Sequence, residues 1–425
     1  MMKKASIFLL AVAALLVAMP LPVRGSEPAN PGKRWYVSQT TGSNQNAGTR
    51  ENPFKNIQKA INAAASGDVI LVAEGNYFGM LDCGNIKIDK GVSIFGGWSS
   101  DFSERDVLDH RTWIRPTSAS NGTSSGQGTV QIDVMQPGML VELDGLLMDR
   151  GHSVAYSPRG EGKPDGVETG MMQPIGTAGI GAPGVPDAKV YTAETAIVYI
   201  RTGSKCNVTI RNCAFLNGPN FGLTGSISAA TVTVENCIFV NNRMAAFDLA
   251  GSSSAANSQT YFRNNTILFS WSRLRDLSDM GYGFRYRPRM DSYLDGNIIG
   301  CSIFSGLDRG HVDSPASKEA ERVTTCENSL FFLNRQGELT LPGGGMFLRV
   351  KVDDFGDVEQ LAKKSGNKAV DDPKDLFGDA IDEAYLKGFK DMEDHRNAMY
   401  ANHYPAEKAL QLFGAVKGYG AQKPE

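Results

Sequence analysis

The chain has 425 residues, of which 47 are glycine and 21% are charged, and its formal net charge at pH 7 is −3. A chain of this length can bury a large core, either in several domains or in one solenoid that grows by repetition. The small net charge gives no general attraction to nucleic acid or anionic membranes, so neither is expected as a partner.

The N-terminus has the pattern of an export signal. The basic pair Lys3-Lys4 precedes an apolar stretch over residues 7–18, and small residues suitable for cleavage follow. We predict a cleaved signal peptide at 1–25 and a linker at 26–34, with a secreted, periplasmic or cell-surface location. A retained membrane anchor is the alternative. No later stretch approaches the about 18 apolar residues that a membrane span needs, so no stable span is expected.

A short strand at Trp35 and a helix open the folded part of the chain. Asn52-Pro53 combines a residue favoured at the N-cap with one favoured at the first helical position, so the helix is predicted to begin there. Apolar residues then recur on one helical face, and the buried strand 69–72 follows. Such a helix can cover the exposed end of a repetitive fold.

One phrase occurs twice in the middle of the chain, at an offset of 24 residues. Val208-Thr-Ile-Arg-Asn-Cys-Ala-Phe215 is followed by Val232-Thr-Val-Glu-Asn-Cys-Ile-Phe239, and weaker copies extend the pattern in both directions. The position of the shared asparagine is held, in chain order, by Gly145, Asn212, Asn236, Asn264, Gly296 and Asn328.

Each copy alternates apolar and polar residues, which is typical of a strand with one buried face. Copies every 24 to 32 residues indicate a solenoid whose strands stack at roughly 4.8 Å. We predict that Asn212, Asn236 and Asn264 stack in one buried ladder, each amide bonding its neighbour and the turn backbone. A β-sandwich, the alternative, would have shorter and less equal strand spacing.

With this repeat, the chain resembles the pectate-lyase-like superfamily of right-handed parallel β-helices. Segments 36–77 and 92–106 also resemble the opening of many secreted bacterial β-helix proteins, in which a helix caps the first coil. The resemblance implies an all-β fold, a right-handed parallel β-helix over 35–350 with an N-terminal capping helix. Residues 351–425 are then a small mixed helical, capping region. Lyases, epimerases and surface proteins share this architecture, so no activity follows from it.

Two long stretches without periodicity, 151–189 and 271–282, leave the repeat at equivalent points, because His152 and Trp271 each follow seven residues after Gly145 and Asn264. We predict that these two excursions project from one edge and flank a groove of order 15 Å, suited to an extended polysaccharide. Amide and guanidinium groups bind sugar hydroxyls and carboxylates. The predicted floor of the groove consists of Asn217, Asn220, Asn241, Asn242 and Arg243.

The second excursion and the strand after it are rich in arginine and aromatic residues. Alternation in Phe284-Arg-Tyr-Arg287 predicts that Phe284 and Tyr286 are buried and that Arg285 and Arg287 point outward. A basic patch on a slightly acidic chain suggests an anionic ligand. The predicted substrate-binding residues are Asn217, Asn220, Asn241, Arg243, Trp271, Arg273, Arg275, Arg285 and Arg287.

The alternative for this patch is a solvated loop whose arginines pair with aspartates. β-Helical lyases, by resemblance, use a basic residue beside a uronate carboxylate, often with calcium held by clustered aspartates, and no such cluster is evident here. Glycoside hydrolysis would need two carboxylates about 5–9.5 Å apart. The candidate catalytic residues are Asp248, Asp276 and Arg285.

No cofactor is expected, because the chain has no cysteine or histidine spacing for zinc, and the acidic run 371–383 lacks a calcium-loop pattern. Cys213 and Cys237 hold equivalent places in the repeat and are predicted to be free and buried. We expect a monomer that binds or degrades an acidic polysaccharide, as a lyase or glycoside hydrolase if it is an enzyme. The alternative is a non-catalytic, adhesin-like structural protein of the cell surface.

Overall fold

The computed structural model describes residues 32–77, 86–115, 128–150, 156–158, 188–190, 196–218, 220–271, 280–310, 322–343, 346–391 and 403–424. Its strands wind into successive coils, and a typical coil adds one strand to each of three parallel sheets, here called the first, second and third sheets. Apolar side chains from all three sheets meet in one continuous interior core. The predicted all-β parallel β-helix is therefore confirmed.

The strands of the first sheet are Arg34–Val37, Val69–Ala73, Ser93–Trp98, Leu140–Asp144, Asn207–Arg211, Thr231–Glu235, Ser258–Arg263, Met290–Asp295 and Thr324–Glu327. The second sheet contains Gly75–Tyr77, Thr112–Ile114, Leu146–Asp149, Ala214–Leu216, the first half of Ile238–Gly251, Thr266–Trp271, Ile298–Ser302, Leu330–Phe332 and Lys368–Ala369.

The third sheet contains Ile86–Ile88, Gly128–Val134, Ala196–Thr202, Phe221–Ile227, the second half of Ile238–Gly251, Met280–Arg285, Ser305–Asp308 and Gly337–Gly343. Met346–Val350 closes this sheet in antiparallel pairing, and a separate antiparallel pair joins Tyr156–Pro158 to Ala188–Val190.

The turn from the first to the second sheet explains the shared asparagine. The backbone there is left-handed at every copy, with φ of 53° at Asn212, 55° at Asn236 and 67° at Gly296. Asn and Gly adopt this conformation at the least cost, so the repeat keeps them. Asn236 donates from Nδ2 to Oδ1 of Asn212 at 2.7 Å, as the ladder predicts.

The prediction that this ladder is buried is wrong, and the buried position is the next one along the chain. Asn212, Asn236 and Asn264 are only half-buried, because the left-handed turn points them away from the core. In two later copies a fully buried asparagine occupies the next position, and there Asn265 accepts from the backbone N–H of Cys237 and donates to the carbonyl of Val234. The interior ladder continues through Asn297.

A helix does cover the first coil, at Ile57–Ala63, and its Ile57, Ala60 and Ile61 join the core. The predicted start at Asn52-Pro53 is wrong. Phe54 instead pairs with Val37 in an isolated parallel bridge and stacks on Trp35, which holds the chain extended before the helix.

The last coil is covered by the 3₁₀-helix Val352–Asp357, whose Phe355 meets Phe331 edge to face. The C-terminal tail, defined here as residues 373–391 and 403–424, then runs back along the outside of the second sheet. Its helices are Pro373–Phe377, Gly378–Ala380, Glu383–Asp391 and Ala406–Leu410. Within the described residues, no helix is long and apolar enough to cross a membrane.

Candidate functional site

The outside of the second sheet is an apolar surface, and the C-terminal tail covers it. Leu147, Ala214 and Ile238 are matched in register across adjacent strands and lie in a cluster separate from the interior core. Tail side chains such as Phe389 and Leu410 complete that cluster. This flank of the solenoid is therefore an internal packing interface.

Two residues of the predicted groove floor form hydrogen bonds with this tail. Asn217 accepts from the backbone N–H of Tyr404 at 2.8 Å and donates to its carbonyl at 3.1 Å. Tyr385 donates its hydroxyl to Oδ1 of Asn241 at 2.7 Å. Trp271 lies 5.5 Å from the ring of Phe389, edge to face.

The prediction that Asn217 and Asn241 floor an open groove is wrong, and Trp271, predicted to bind substrate, is covered as well. Asn217 and Asn241 are 1% and 0% exposed, and Trp271 is 3% exposed, because the tail lies over them. Arg243 and Asn220 are buried as well.

Asn242 belongs to an interior ladder at the turn between the second and third sheets. Its Oδ1 accepts from the backbone N–H of Gly218, and its Nδ2 donates to the carbonyl of Phe215. The predicted groove residue Asn242 is thus buried too.

The corner from which the two excursions leave is as predicted. The second-sheet strands that end at Asp149 and Trp271 are followed by third-sheet strands that begin at Ala196 and Met280. Arg273, Arg275 and Asp276 lie outside the described residues, so their candidate roles stay predictions.

The outer face of the third sheet carries a continuous polar row beside this corner. Register pairing aligns Gln131, Tyr199, Thr224 and Asp248 on successive strands, and Arg285, Asp308 and Thr340 continue the row. Gln131 and Tyr199 are half-buried, whereas Asp248, Arg285 and Asp308 are 2%, 3% and 0% exposed.

Asp248, Arg285, Arg287 and Asp308 form one ion-paired group, here called the third-sheet cluster. Arg287 donates two hydrogen bonds to the carboxylate of Asp248, from Nε to Oδ1 and from Nη2 to Oδ2, the second at 2.5 Å. Arg285 bridges the two carboxylates, with Nη1 3.5 Å from Asp248 Oδ2 and Nε 3.3 Å from Asp308 Oδ2. Its guanidinium also lies 4.1 Å from the ring centre of Tyr282.

The two arginines differ in their access to solvent. Burial opposes the charge of Arg285, but Asp308 and Asp248 outweigh it and raise the pKa of this guanidinium. The side chain of Arg285 is 3% exposed and that of Arg287 is 30% exposed. The prediction that Phe284 and Tyr286 are buried is confirmed. Arg285 points off the core as predicted, yet it is enclosed, so its exposure was wrongly predicted.

Two further arginines adjoin the cluster. Arg309 donates to Thr324 Oγ1 at 2.5 Å, and Arg322 donates to the carbonyl of Tyr286 at 3.1 Å. Burial, followed by repulsion from Arg309, lowers the pKa of Arg322 to about 9, against a smaller opposing attraction from Asp308. Positive charges are thus crowded at this end of the third sheet.

Asp308 was missed by the sequence reasoning, although the structure places it beside two candidates, Asp248 and Arg285. In the structure, Ser305–Asp308 pairs with the strand that ends at Arg285, which places Asp308 beside that residue. In the sequence this strand is only four residues long and lacks the shared asparagine of the first sheet, so the repeat pattern gave no register for it.

No group of three or more His, Cys, Asp and Glu side chains could hold a metal ion in the part of the chain that the structure describes. Cys213 and Cys237 are buried and free, as predicted. Burial, together with the neighbouring Cys213, raises the pKa of Cys237 well above its usual value.

Two protein families match parts of this sequence. Residues 187–267 match the family described as "Right handed beta helix region", and residues 40–118 match one described as "Protein of unknown function (DUF1565)". This protein is a right-handed parallel β-helix. No curated protein matches the β-helix chain.

Several solved structures are similar to this β-helix. The pectin methylesterase from Aspergillus niger in deglycosylated form is 13% identical, covers 82% of this chain and 88% of its own, and has a TM-score of 0.32. A pectin methylesterase mutant in complex with a hexasaccharide is 11% identical over 88% and 100% of the two chains, with a TM-score of 0.38. A rhamnogalacturonan lyase is 13% identical over 92% and 100%, with a TM-score of 0.35. Similarities this remote carry no argument about activity.

Proposed function

We propose that this β-helix is exported and binds an acidic polysaccharide on the outer face of its third sheet, with Arg287 as the main anchor. The observation that carries the proposal is the guanidinium of Arg287, which already binds a carboxylate in a two-point contact and whose side chain is 30% exposed. Arg285, Arg309 and Arg322 lie near it, so the surroundings are rich in positive charge within the described residues. Burial is the main cause of the lowered pKa of Arg322, and an anion beside these arginines would offset the second cause, repulsion from Arg309.

The shape of the site favours a chain-like ligand. The polar row runs across successive strands at roughly 4.8 Å per coil, so equivalent contacts repeat along the solenoid axis. Tyr199 and Gln131, which precede Thr224 and Asp248 in the row, offer hydroxyl and amide groups for sugar hydroxyls. Only part of the cluster reaches solvent, and that part is Arg287.

Binding has more support than hydrolysis. A single guanidinium touches both Asp248 and Asp308, so the two carboxyl groups are close neighbours, below the upper limit of about 9.5 Å for glycosidase pairs. However, both are engaged by arginine, whereas a glycosidase keeps one carboxyl group protonated as its acid. The cluster therefore resembles an anchor for a negative group.

The test is isothermal titration of the purified protein with polygalacturonate and with a neutral galactan. We expect saturable binding to the polyuronate alone, weakening as salt rises, since exposed charges are screened beyond about 8 Å at physiological ionic strength. Arg287→Ala should weaken binding about tenfold or more. Arg263→Ala is the control for a lost positive charge, because Arg263 is exposed on the first sheet, away from the proposed site.

A non-catalytic structural role is the second candidate. It is favoured by the tail, which covers the second-sheet flank, and by the ion pairs that already occupy Asp248. Equal titration of wild type and Arg287→Ala, or no heat with any glycan, would refute the polysaccharide proposal and favour the structural role.

A further inference from the structure

We infer that Asp248 is a built-in competitor for the ligand, holding the Arg287 fork in the place that a uronate carboxylate takes when the polysaccharide binds. This inference rests on the proposed function and specifies both its ligand class and its control. It assigns to Asp248 an inhibitory role.

The contact geometry identifies the competing group. Nε and Nη2 of Arg287 each meet one oxygen of the Asp248 carboxylate, which is the planar two-point arrangement that arginine makes with carboxylates. A uronic acid carries the same planar group. Sulfate esters are tetrahedral, so they reproduce this arrangement less closely, and the site should favour carboxylate over sulfate.

Exposure shows which partner can leave. The side chain of Asp248 is 1% exposed, and that of Arg287 is 30% exposed. Arg287 can therefore turn toward solvent without moving Asp248. The carboxylate that it releases keeps Arg285 as a partner, at 3.5 Å.

The contact between Asp248 and Arg285 lowers the energetic cost of this exchange. Arg285 stays fixed between Asp248 and Asp308, and Thr340 donates to Asp308 at 2.7 Å. The buried carboxylates thus remain paired while the outer arginine changes partner. A buried charge left with no partner would cost several kcal/mol, and this arrangement avoids it.

The experiment compares Asp248→Asn with wild type in titrations with polygalacturonate. The substitution keeps the side-chain size and removes the charge that competes for Arg287. We expect about threefold to tenfold tighter binding, since the ligand no longer breaks an internal ion pair. Dextran sulfate serves as the sulfate probe, and its affinity should increase less than that of polygalacturonate. Chondroitin sulfate is not used, because it carries both carboxylate and sulfate groups.

The matched control is Asp391→Asn. Asp391 pairs with Lys387 on the exposed side of the tail, away from the third sheet. Asp391→Asn removes the same charge from the protein, so an equal gain in both variants would show a general charge effect and overturn the inference. An unchanged or lowered affinity of Asp248→Asn would also overturn it.

Two further arms keep the outcomes distinguishable. If wild type does not bind polygalacturonate at all, the proposed function fails first, whatever Asp248 does. If Asp248→Asn does not fold, as thermal unfolding would reveal, Asp248→Ser takes its place with the same expected gain. Arg287→Lys keeps the positive charge without the planar fork, and should lose most of the preference for polygalacturonate over dextran sulfate.

Discussion

The outer faces of the second and third sheets of this β-helix differ in chemical character. The outside of the second sheet is apolar, and the tail packs on it through residues such as Phe389 and Leu410. The outside of the third sheet carries hydroxyl, amide and charged groups in register. The same repeat produces both faces, so the coil alone does not decide where a ligand can bind.

The difference shows that an asparagine in a turn can bind the covering tail instead of a ligand. At Asn217 and Asn236 the side chain bonds both the N–H and the carbonyl of a tail residue, Tyr404 and Gln422 respectively. An amide used in this way imitates a neighbouring strand. The predicted sugar-binding amide of Asn217 therefore binds this chain's own backbone.

The largest effect is expected on the covered flank. Tyr385→Ala should lower the free energy of unfolding by about 3–5 kcal/mol, because it removes a large aromatic side chain from the packed interface between the tail and the second sheet. Tyr385 contacts Phe269, Trp271 and Tyr404 and donates to Asn241. Chemical denaturation measures the change.

Lys417→Ala, at an exposed position of the tail, is the control for Tyr385→Ala. If the two tail variants unfold alike, the tail does not stabilise the solenoid. Glycan titration of Tyr385→Ala should match wild type below its melting transition, since the proposed site lies on the other face.

A similar loss is expected inside the third-sheet cluster. Arg285→Met should lower the free energy of unfolding by about 3–5 kcal/mol, because it removes the buried charge that bridges the enclosed carboxylates of Asp248 and Asp308. Arg201→Met, whose side chain is 53% exposed, should change it by less than about 1 kcal/mol. Equal denaturation midpoints for the two variants would contradict the enclosed position of Arg285.

The two asparagine ladders should differ in strength. Asn265→Leu is expected to cost about 1–3 kcal/mol, because the interior backbone groups of Cys237 and Val234 lose their partner. Asn236→Leu should cost less, since water can reach its half-buried site. A larger loss at Asn236 than at Asn265, measured by urea denaturation, would place the structural ladder at the outer position instead.

The smallest stability effect is expected at the proposed anchor. Arg287→Ala should change the free energy of unfolding by less than about 1 kcal/mol, because a partly exposed ion pair contributes little. Its effect belongs to the binding titration. A melting temperature that falls as far as that of Arg285→Met would make Arg287 a structural partner of Asp248 and remove it as an anchor.

Much of the fold was predictable because it repeats. Alternation in the copies at Val208 and Val232 placed apolar residues on one face, and the aligned strands keep that register. The aligned aromatic rings of Phe215 and Phe239 stack at 4.1 Å. The candidate site was predicted less well. Asp248, Arg285 and Arg287 do meet, but the partner Asp308 and the covering of Asn217 and Asn241 were not foreseen.

The sequence by itself determined the coil, because the side-chain period of a strand and the left-handed turn at Asn212 and Asn236 are local properties of the chain. Only the tertiary structure decided which outer face the tail covers. Tyr404 lies 187 positions from Asn217, and no local pattern specifies a contact at that separation. It forms because the second-sheet flank exposes apolar surface, and the tail removes that surface from water.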